Sequence, residues 1–281
     1  MFKHNFHTHT SFCDGSSEPE QYVEAAIKTG LKSIGFSGHA PVPFENSFAI
    51  KNALSLHEYC REIERLKEKY SEEIEVFLAL EADYIPDITT DFSELRADCK
   101  LDYIIGSVHL VKNSEGQLWF IDGPNREVWI NGLLNDFNGG IKVAVSAYYH
   151  QIIMMLESQK PDVVGHLDKI KMHNRGEYFR EDDHWYISLF KQTLEAIKEA
   201  GCVVEVNTRG LYKKRSDSLF PGPKILREMN RLNIPVTISS DAHKPHEVGL
   251  LLDQAAQTLM TAGYTEVYFF NKKKWESISL G

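Results

Sequence analysis

The sequence contains few cysteines, and they lie far apart. Its 281 residues include only Cys13, Cys60, Cys99 and Cys202, with no C-x-x-C pair. This spacing is typical of a reduced cytosolic chain rather than of a disulfide-bonded one. It also excludes a zinc site made from pairs of cysteines.

Long apolar runs are absent as well. No run approaches the roughly 18 residues that a membrane-spanning helix requires. The start, Met-Phe-Lys-His-Asn, lacks the basic and apolar regions of a signal peptide. We therefore expect a cytoplasmic protein without membrane contact.

Positive charge is in deficit. The 31 Lys and Arg residues face 40 Asp and Glu residues, which gives a formal net charge of -9. Proteins that bind nucleic acid or anionic membranes nonspecifically use clustered cations, so we expect neither as a partner. A small phosphorylated substrate is still compatible with this charge. The oligomeric state does not follow from the composition.

No linker rich in Pro, Gly or Ser divides the chain, and it contains no internal repeat. Because 281 residues fall within the range of one α/β barrel, we expect a single domain over residues 1–281.

Seven strand-like runs alternate with helical segments along the chain. The runs cover residues 2–6, 33–37, 75–80, 101–106, 161–165, 202–207 and 234–240. This alternation predicts a parallel sheet closed as a (β/α) barrel. Ser17 and Glu20 resemble a capping box for the first helix, and the last helix is expected to start near His246. Residues 110–121 suggest a hairpin, and residues 265–270 a final strand.

Polar side chains occur where the predicted strands end. His7 and His9 point to one face of an extended strand, because side chains alternate with period two. If this pair stood alone, a solvent-exposed strand end would be the better explanation for it. The other strand ends supply partners, however, and in such folds the site lies at the carboxyl ends of the strands. The candidate ligands are His7, His9, Asp14, His39, Glu81, His109, His166, Asp241 and His243.

This set indicates a transition-metal site. Imidazole and carboxylate ligands suit zinc, iron and manganese. Nine side chains are too many for one tetrahedral ion, so we expect two or three ions, with the Glu81 carboxylate able to bridge two. The other histidines, His4, His57, His150, His173, His184 and His246, are expected to have structural roles, with a substrate contact as the alternative for His150.

Several stretches resemble the polymerase and histidinol phosphatase (PHP) superfamily, and specifically its histidinol-phosphatases. They include His7-Thr8-His9-Thr10-Ser11-Phe12-Cys13-Asp14-Gly15, Gly38-His39-Ala40-Pro41, Glu81-Ala82-Asp83-Tyr84-Ile85-Pro86, Ser107-Val108-His109, Gly165-His166-Leu167-Asp168, Glu205-Val206-Asn207-Thr208 and Ser240-Asp241-Ala242-His243. Gly38 departs from the pattern, because many relatives have an acidic residue there that would support His39.

The resemblance implies a distorted (β/α)7 barrel with three metal ions. The first ion would be held by His7, His9, Glu81 and Asp241, the second by Glu81, His109 and His166, and the third by Asp14, His39 and His243. It further implies hydrolysis of L-histidinol phosphate in histidine biosynthesis by a metal-activated hydroxide. Glu81, Asp241 and His243 would be the catalytic side chains.

Two other functions stay open at this point. The chain could act on a nucleotide or nucleic acid, as polymerase-associated PHP domains do, or it could bind metal without catalysis. Arg209, just beyond the sixth strand, could clamp the phosphate, although a surface loop explains it equally well. Residues 110–137, with Trp119, Phe120 and Asp122, could form a wall of the substrate pocket or an ordinary packed hairpin.

Overall fold

The computed structural model describes residues 2–123 and 125–281. The strands are β1 (His4–Asn5), β2 (Ser33–His39), β3 (Glu75–Asp83), β4 (Tyr103–Ser107), β5 (Leu110–Lys112), β6 (Leu118–Phe120), β7 (Val163–Val164), β8 (Val203–Asn207), β9 (Val236–Ser239), β10 (Glu266–Asn271) and β11 (Lys274–Ser279). The helices are α1 (Pro19–Thr29), α2 (Ala53–Lys69), α3 (Phe92–Cys99), α4 (Arg126–Phe137), α5 (Ile141–Gln159), α6 (His184–Ala200), α7 (Arg209–Tyr212), α8 (Pro223–Arg231) and α9 (Leu252–Thr261).

Seven parallel strands form the central sheet, in the order β1-β2-β3-β4-β7-β8-β9. The first and last strands meet through hydrogen bonds from His9 N to Ala242 O (2.8 Å) and from Ala242 N to His7 O (3.2 Å). In addition, Ser240 N donates to the Asn5 side chain at 2.8 Å. The sheet is therefore a nearly closed barrel with helices around it, as the alternating pattern predicts.

The side chains inside the barrel change character along each strand. On β3, Phe77 and Ala79 point inward near the amino end, and Glu81 and Asp83 follow on the same face toward the carboxyl end, because side chains of one face recur every second residue. All four are buried. The barrel thus has an apolar bottom and a polar mouth.

A hairpin of β10 and β11 closes the bottom. Its Phe270 ring lies 5.1 Å from the ring of Phe77 and 5.3 Å from that of Tyr103, measured between centroids. Trp275 packs against the ring of Phe6 at 5.3 Å. The final strand was predicted, but it pairs antiparallel with β11 rather than joining the barrel.

Two predicted helix starts are wrong. Helix α1 begins at Pro19 after Glu18, without a side-chain cap, so Ser17 and Glu20 do not form a capping box. Proline fits the first helical position because its missing N–H has no helical partner there. The last helix starts at Leu252 and not near His246, which lies in a short 3-10 turn instead.

Helix α4 lies in the region that the sequence pattern leaves irregular, whereas the predicted hairpin before it is present as β5 and β6.

Within the described residues, none of the helices combines the length and apolar character needed to cross a membrane.

Candidate metal centre

The first candidate ligand set surrounds one oxygen of Glu81. His7 Nε2 lies 3.1 Å and His9 Nε2 3.4 Å from Glu81 Oε2. The two imidazole nitrogens are 3.0 Å apart, and Asp241 Oδ1 is 3.4 Å from His9 Nε2. These side chains come from the segment after β1, from β3 and from the segment after β9.

The second set surrounds the other oxygen of the same carboxylate. Glu81 Oε1 lies 2.8 Å from His166 Nε2 and 3.6 Å from His109 Nε2. The two histidine nitrogens approach each other to 3.1 Å. Glu81 therefore faces one histidine pair with each of its oxygens, which is the arrangement that a bridging carboxylate requires.

The third set lies at the rim of the mouth. His243 Nε2 is 3.1 Å from Asp14 Oδ2, and His39 Nε2 is 3.9 Å from Asp14 Oδ1. His9 also approaches this set, with its Nδ1 at 3.4 Å from Asp14 Oδ1. The structure thus brings together all nine predicted side chains, and it places His9 between the first and the third set.

Carboxylates behind two of the histidines were not predicted as site residues. Glu205 Oε1 contacts His7 Nδ1 at 2.6 Å, and Asp83 Oδ1 contacts His109 Nδ1 at 3.0 Å. Such contacts fix the orientation of an imidazole whose other nitrogen binds a metal. The signal that could have identified Asp83 is its position two residues after Glu81, which places both on one face of β3. Asp83 also forms a compact group with His39 and His109, with one ligand atom from each residue within 4.8 Å of the others.

Asp241 has a left-handed backbone conformation, with φ of 53°. Asparagine and aspartate tolerate this region better than most residues do. Asn207 Nδ2 donates to Asp241 Oδ2 at 3.1 Å, and Arg209 Nη1 donates to the Asp241 carbonyl at 2.8 Å. These two contacts hold the carboxylate toward His9.

The carboxylates of the centre are ionised. Burial alone would raise the pKa of Glu81, but His7, His109 and His39 hold it well below its ordinary value. Burial likewise opposes ionisation of Asp241, and His7 and Arg209 lower its pKa far below the usual range. Ionised carboxylates are the form that binds metal.

The histidines divide into two groups. Burial lowers the pKa of His9 and of His39 to about 4, so both are neutral at pH 7. Burial would also lower the pKa of His109, but Asp83 and Glu81 raise it to about 9. His7 behaves in the same way, because Glu205 and Glu81 outweigh burial and raise its pKa well above the ordinary value.

The donor set fits divalent metal ions. Pairs of Nε2 atoms converge at 3.0 and 3.1 Å around a single carboxylate, and imidazole with carboxylate suits borderline transition metals. Each carboxylate partner of His7 and His109 binds Nδ1, which leaves Nε2 directed at the cluster. His39 differs, because its Nδ1 faces the cluster and lies 3.2 Å from Glu81 Oε2.

The centre opens into a cavity of about 270 Å³. Three cations reach it: Lys169, Arg209 and Arg215. Lys169 Nζ is buried and lies 2.7 Å from Asp122 Oδ2 and 3.9 Å from Asp241 Oδ2. Neither Lys169 nor Arg215 was predicted, because nothing in their local sequence marks them and only the fold brings them to the mouth.

Arg209 lines the cavity, so it is not a surface loop residue. Its guanidinium is largely engaged by the protein, with Tyr212 Oη at 3.3 Å and Glu247 Oε2 at 3.7 Å from Nη1. In the region of residues 110–137, Phe120 and Asp122 face the cavity, whereas Trp119 packs in the core and donates its Nε1–H to the Trp129 carbonyl.

Of the remaining histidines, His4 and His173 have partners away from the cluster. His4 Nδ1 lies 2.8 Å from Ser33 Oγ, and His173 Nε2 lies 3.0 Å from the Gly123 carbonyl. Among the described residues, neither belongs to a group that could hold a metal ion.

Comparison with known proteins identifies relatives of this chain. The model of the PHP domain family matches residues 5–209. The histidinol-phosphatase of Bacillus subtilis is 31% identical over 265 residues, which cover 89% of this chain and 96% of that protein. A Deinococcus radiodurans protein named "Probable histidinol-phosphatase" is 28% identical over 275 residues, or 95% of this chain and 96% of that protein.

A solved structure shows the same fold. Histidinol phosphate phosphatase from Lactococcus lactis, in complex with zinc, L-histidinol and phosphate, superposes with a TM-score of 0.70 at 22% identity and covers 98% of both chains. The matched family, the relatives and this shared fold lead to one conclusion: the chain belongs to the PHP domain family and, within it, to the histidinol-phosphatases.

Proposed function

We propose that this protein hydrolyses L-histidinol phosphate to L-histidinol and phosphate with the help of divalent metal ions. The observation that carries the proposal is the Glu81 carboxylate, whose two oxygens face two separate histidine pairs at the mouth of the barrel. The related proteins named histidinol-phosphatase support the choice of substrate.

The ligands divide among three ions in this proposal. His7, His9, Glu81 and Asp241 would hold one, Glu81, His109 and His166 the second, and Asp14, His39 and His243 the third. When bound, such ions lower the pKa of a water molecule and neutralise charge on phosphate oxygens. Zinc, iron and manganese all suit these ligands.

The protein itself supplies further positive charge for the phosphate. Lys169, Arg209 and Arg215 line the cavity beside the ligands. Arginine can bind phosphate through two nitrogens, and Lys169 acts as a point charge. Burial and the nearby Asp122 and Asp241 act in opposite directions on Lys169, and the carboxylates prevail and raise its pKa. Lys169 is therefore charged at neutral pH.

Side-chain nucleophiles have no role in this proposal. Cys13 Sγ lies 3.6 Å from His9 Nδ1, but burial together with Asp14 raises the pKa of its thiol to about 12. The thiolate, which is the reactive form, is therefore scarce at neutral pH. Ser240 Oγ donates to the Val248 carbonyl at 3.3 Å and points away from the cavity. In this proposal the nucleophile is water.

The test is phosphate release by the purified, metal-loaded protein. We expect turnover of L-histidinol phosphate and much slower release from nucleotides and from an oligonucleotide. The acidic net charge of -9 disfavours a nucleic-acid substrate, because its backbone repels anionic surfaces.

Two outcomes would contradict the proposal. Activity on the oligonucleotide alone would assign the protein to the nucleic-acid branch of the family. No phosphate release from any substrate, with the metals fully loaded, would favour a metal-binding protein without catalysis. Chelation by EDTA followed by re-addition of zinc or manganese is the control, since it should abolish and then restore any activity that depends on metal.

A further inference from the structure

Two phenylalanines at the mouth lie outside the apolar cores. Phe48 follows β2, and Phe120 ends β6 on the β5–β6 hairpin. Both are half-buried and line the cavity, and neither packs in the hydrophobic clusters formed by the described residues. Their rings stack on each other, with centroids 5.8 Å apart and an angle of 23° between planes. Packing of the barrel therefore does not account for them.

The surrounding loops hold both rings in place. Asn46 Oδ1 accepts hydrogen bonds from Phe48 N at 3.1 Å and from Ala49 N at 2.8 Å, which makes a compact turn. Phe120 pairs with Leu110 in the hairpin, and the following Ile121 N donates to the His109 carbonyl at 2.9 Å. A preformed apolar wall binds a ligand without a further ordering cost.

The position of the pair suits the alcohol part of the substrate. The Phe48 ring meets the His39 ring edge to face at 5.3 Å between centroids, so it contacts one of the candidate ligands directly. The three cavity cations, Lys169, Arg209 and Arg215, attract the phosphate. The aromatic pair provides the apolar surface of the same cavity, next to where the phosphate binds.

We propose that Phe48 and Phe120 bind the planar ring of the alcohol part and select phosphate monoesters that carry such a ring. Aromatic rings pack favourably on one another in offset or edge-to-face geometry. The pair would thus determine specificity without contacting the reacting phosphorus. This inference rests on the proposed function, since L-histidinol phosphate contains an imidazole ring.

The experiment compares two substrates that differ only in the ring. 2-Aminopropyl phosphate has the same amine and phosphate as L-histidinol phosphate but a hydrogen in place of the imidazole. In Phe48→Ala and in Phe120→Ala, we expect kcat/KM for L-histidinol phosphate to fall about tenfold, mainly through KM. The loss for 2-aminopropyl phosphate should be clearly smaller, because that substrate has no ring to pack against the pair.

Phe44→Ala is the matched control. Phe44 lies on the same loop and is half-buried, but it does not line the cavity, so its loss should leave the ratio of the two substrates unchanged. Phe48→Tyr keeps the ring and should retain selectivity. Phe48→Leu keeps apolar volume without the ring, and it provides a second test if Phe48→Ala disturbs the loop.

The outcomes separate this inference from the proposed function. The inference would be overturned if kcat/KM fell equally for both substrates in well-folded Phe48→Leu and Phe120→Ala. It would also be overturned if the wild type hydrolysed both substrates equally well. In either case the proposed function would stand. If the metal-loaded wild type does not hydrolyse L-histidinol phosphate, the proposed function fails and the inference fails with it.

Discussion

The two ends of the barrel differ although the same strands build both. At the bottom, Phe77 and Tyr103 pack against Phe270 of the hairpin. At the mouth, the same face of β3 carries Glu81, which contacts His7. Two to four residues along a strand therefore separate an apolar core from a cluster of ionised ligands. We infer that the bottom provides stability and the mouth provides chemistry.

Glu81→Ala tests this division most severely. The substitution removes the carboxylate that faces both histidine pairs, so we expect turnover of L-histidinol phosphate to become undetectable. The fold should persist, because the side chain lies at the mouth and not in the apolar bottom. Phosphate release and circular dichroism are the measurements. Substitution of the exposed Glu73 by Ala is a control that should change neither, and activity retained in Glu81→Ala would disprove the bridging role.

Phe270→Ala tests the other end. Phe270 is 3% exposed and fills the bottom of the barrel, so its truncation should lower the free energy of unfolding by about 3–5 kcal/mol. Turnover per folded molecule should not change. Denaturant unfolding gives the first quantity, and phosphate release at low temperature gives the second.

The neighbouring Phe269 offers a matched control for this prediction. It is only half-buried, so Phe269→Ala should cost clearly less stability. If Phe270→Ala lost activity while keeping its stability, the proposed separation between bottom and mouth would be wrong.

Glu205→Gln tests the carboxylates that contact the Nδ1 atoms of ligand histidines. Glu205 is buried and accepts from the backbone N of His166 at 2.9 Å while it contacts His7 Nδ1 at 2.6 Å. An amide cannot accept through both of its ends, so His7 should lose its orientation. We expect activity or metal affinity to fall about 10–100-fold, measured by phosphate release across a metal titration.

Asp83→Asn provides a parallel case, because Asp83 has the same relation to His109. Both variants should respond to added metal if the loss is in affinity. Metal affinity and turnover at the wild-type level in both variants would show that these carboxylates do not support the histidines.

The sequence was sufficient to predict which polar side chains converge, because candidate ligands follow six of the seven predicted strands. Parallel strands bring their carboxyl ends to one edge, so His39, Glu81 and His166 could be placed together without coordinates. Barrel closure followed from the alternation of strands and helices. Lys169 and Arg215 could not be found in this way, because their approach to the site depends on loops whose path the pattern does not determine.

The same limit applies to the secondary structure. Helix α4 (Arg126–Phe137) has a weak apolar face and contains Gly132, a poor helix former. Its position depends on long-range packing, since the Trp119 side chain leaves no room for a Cβ at Gly132. The β10–β11 hairpin closes the barrel through side chains from distant strands, which local periodicity does not show.

The metal content of the protein tests the central claim most directly. Elemental analysis of protein that has never been exposed to a chelator should find two to three divalent transition-metal ions per chain, because Glu81 faces two histidine pairs and Asp14 joins a third ligand set. A stoichiometry of one ion or fewer would contradict the shared cluster at the mouth of the barrel.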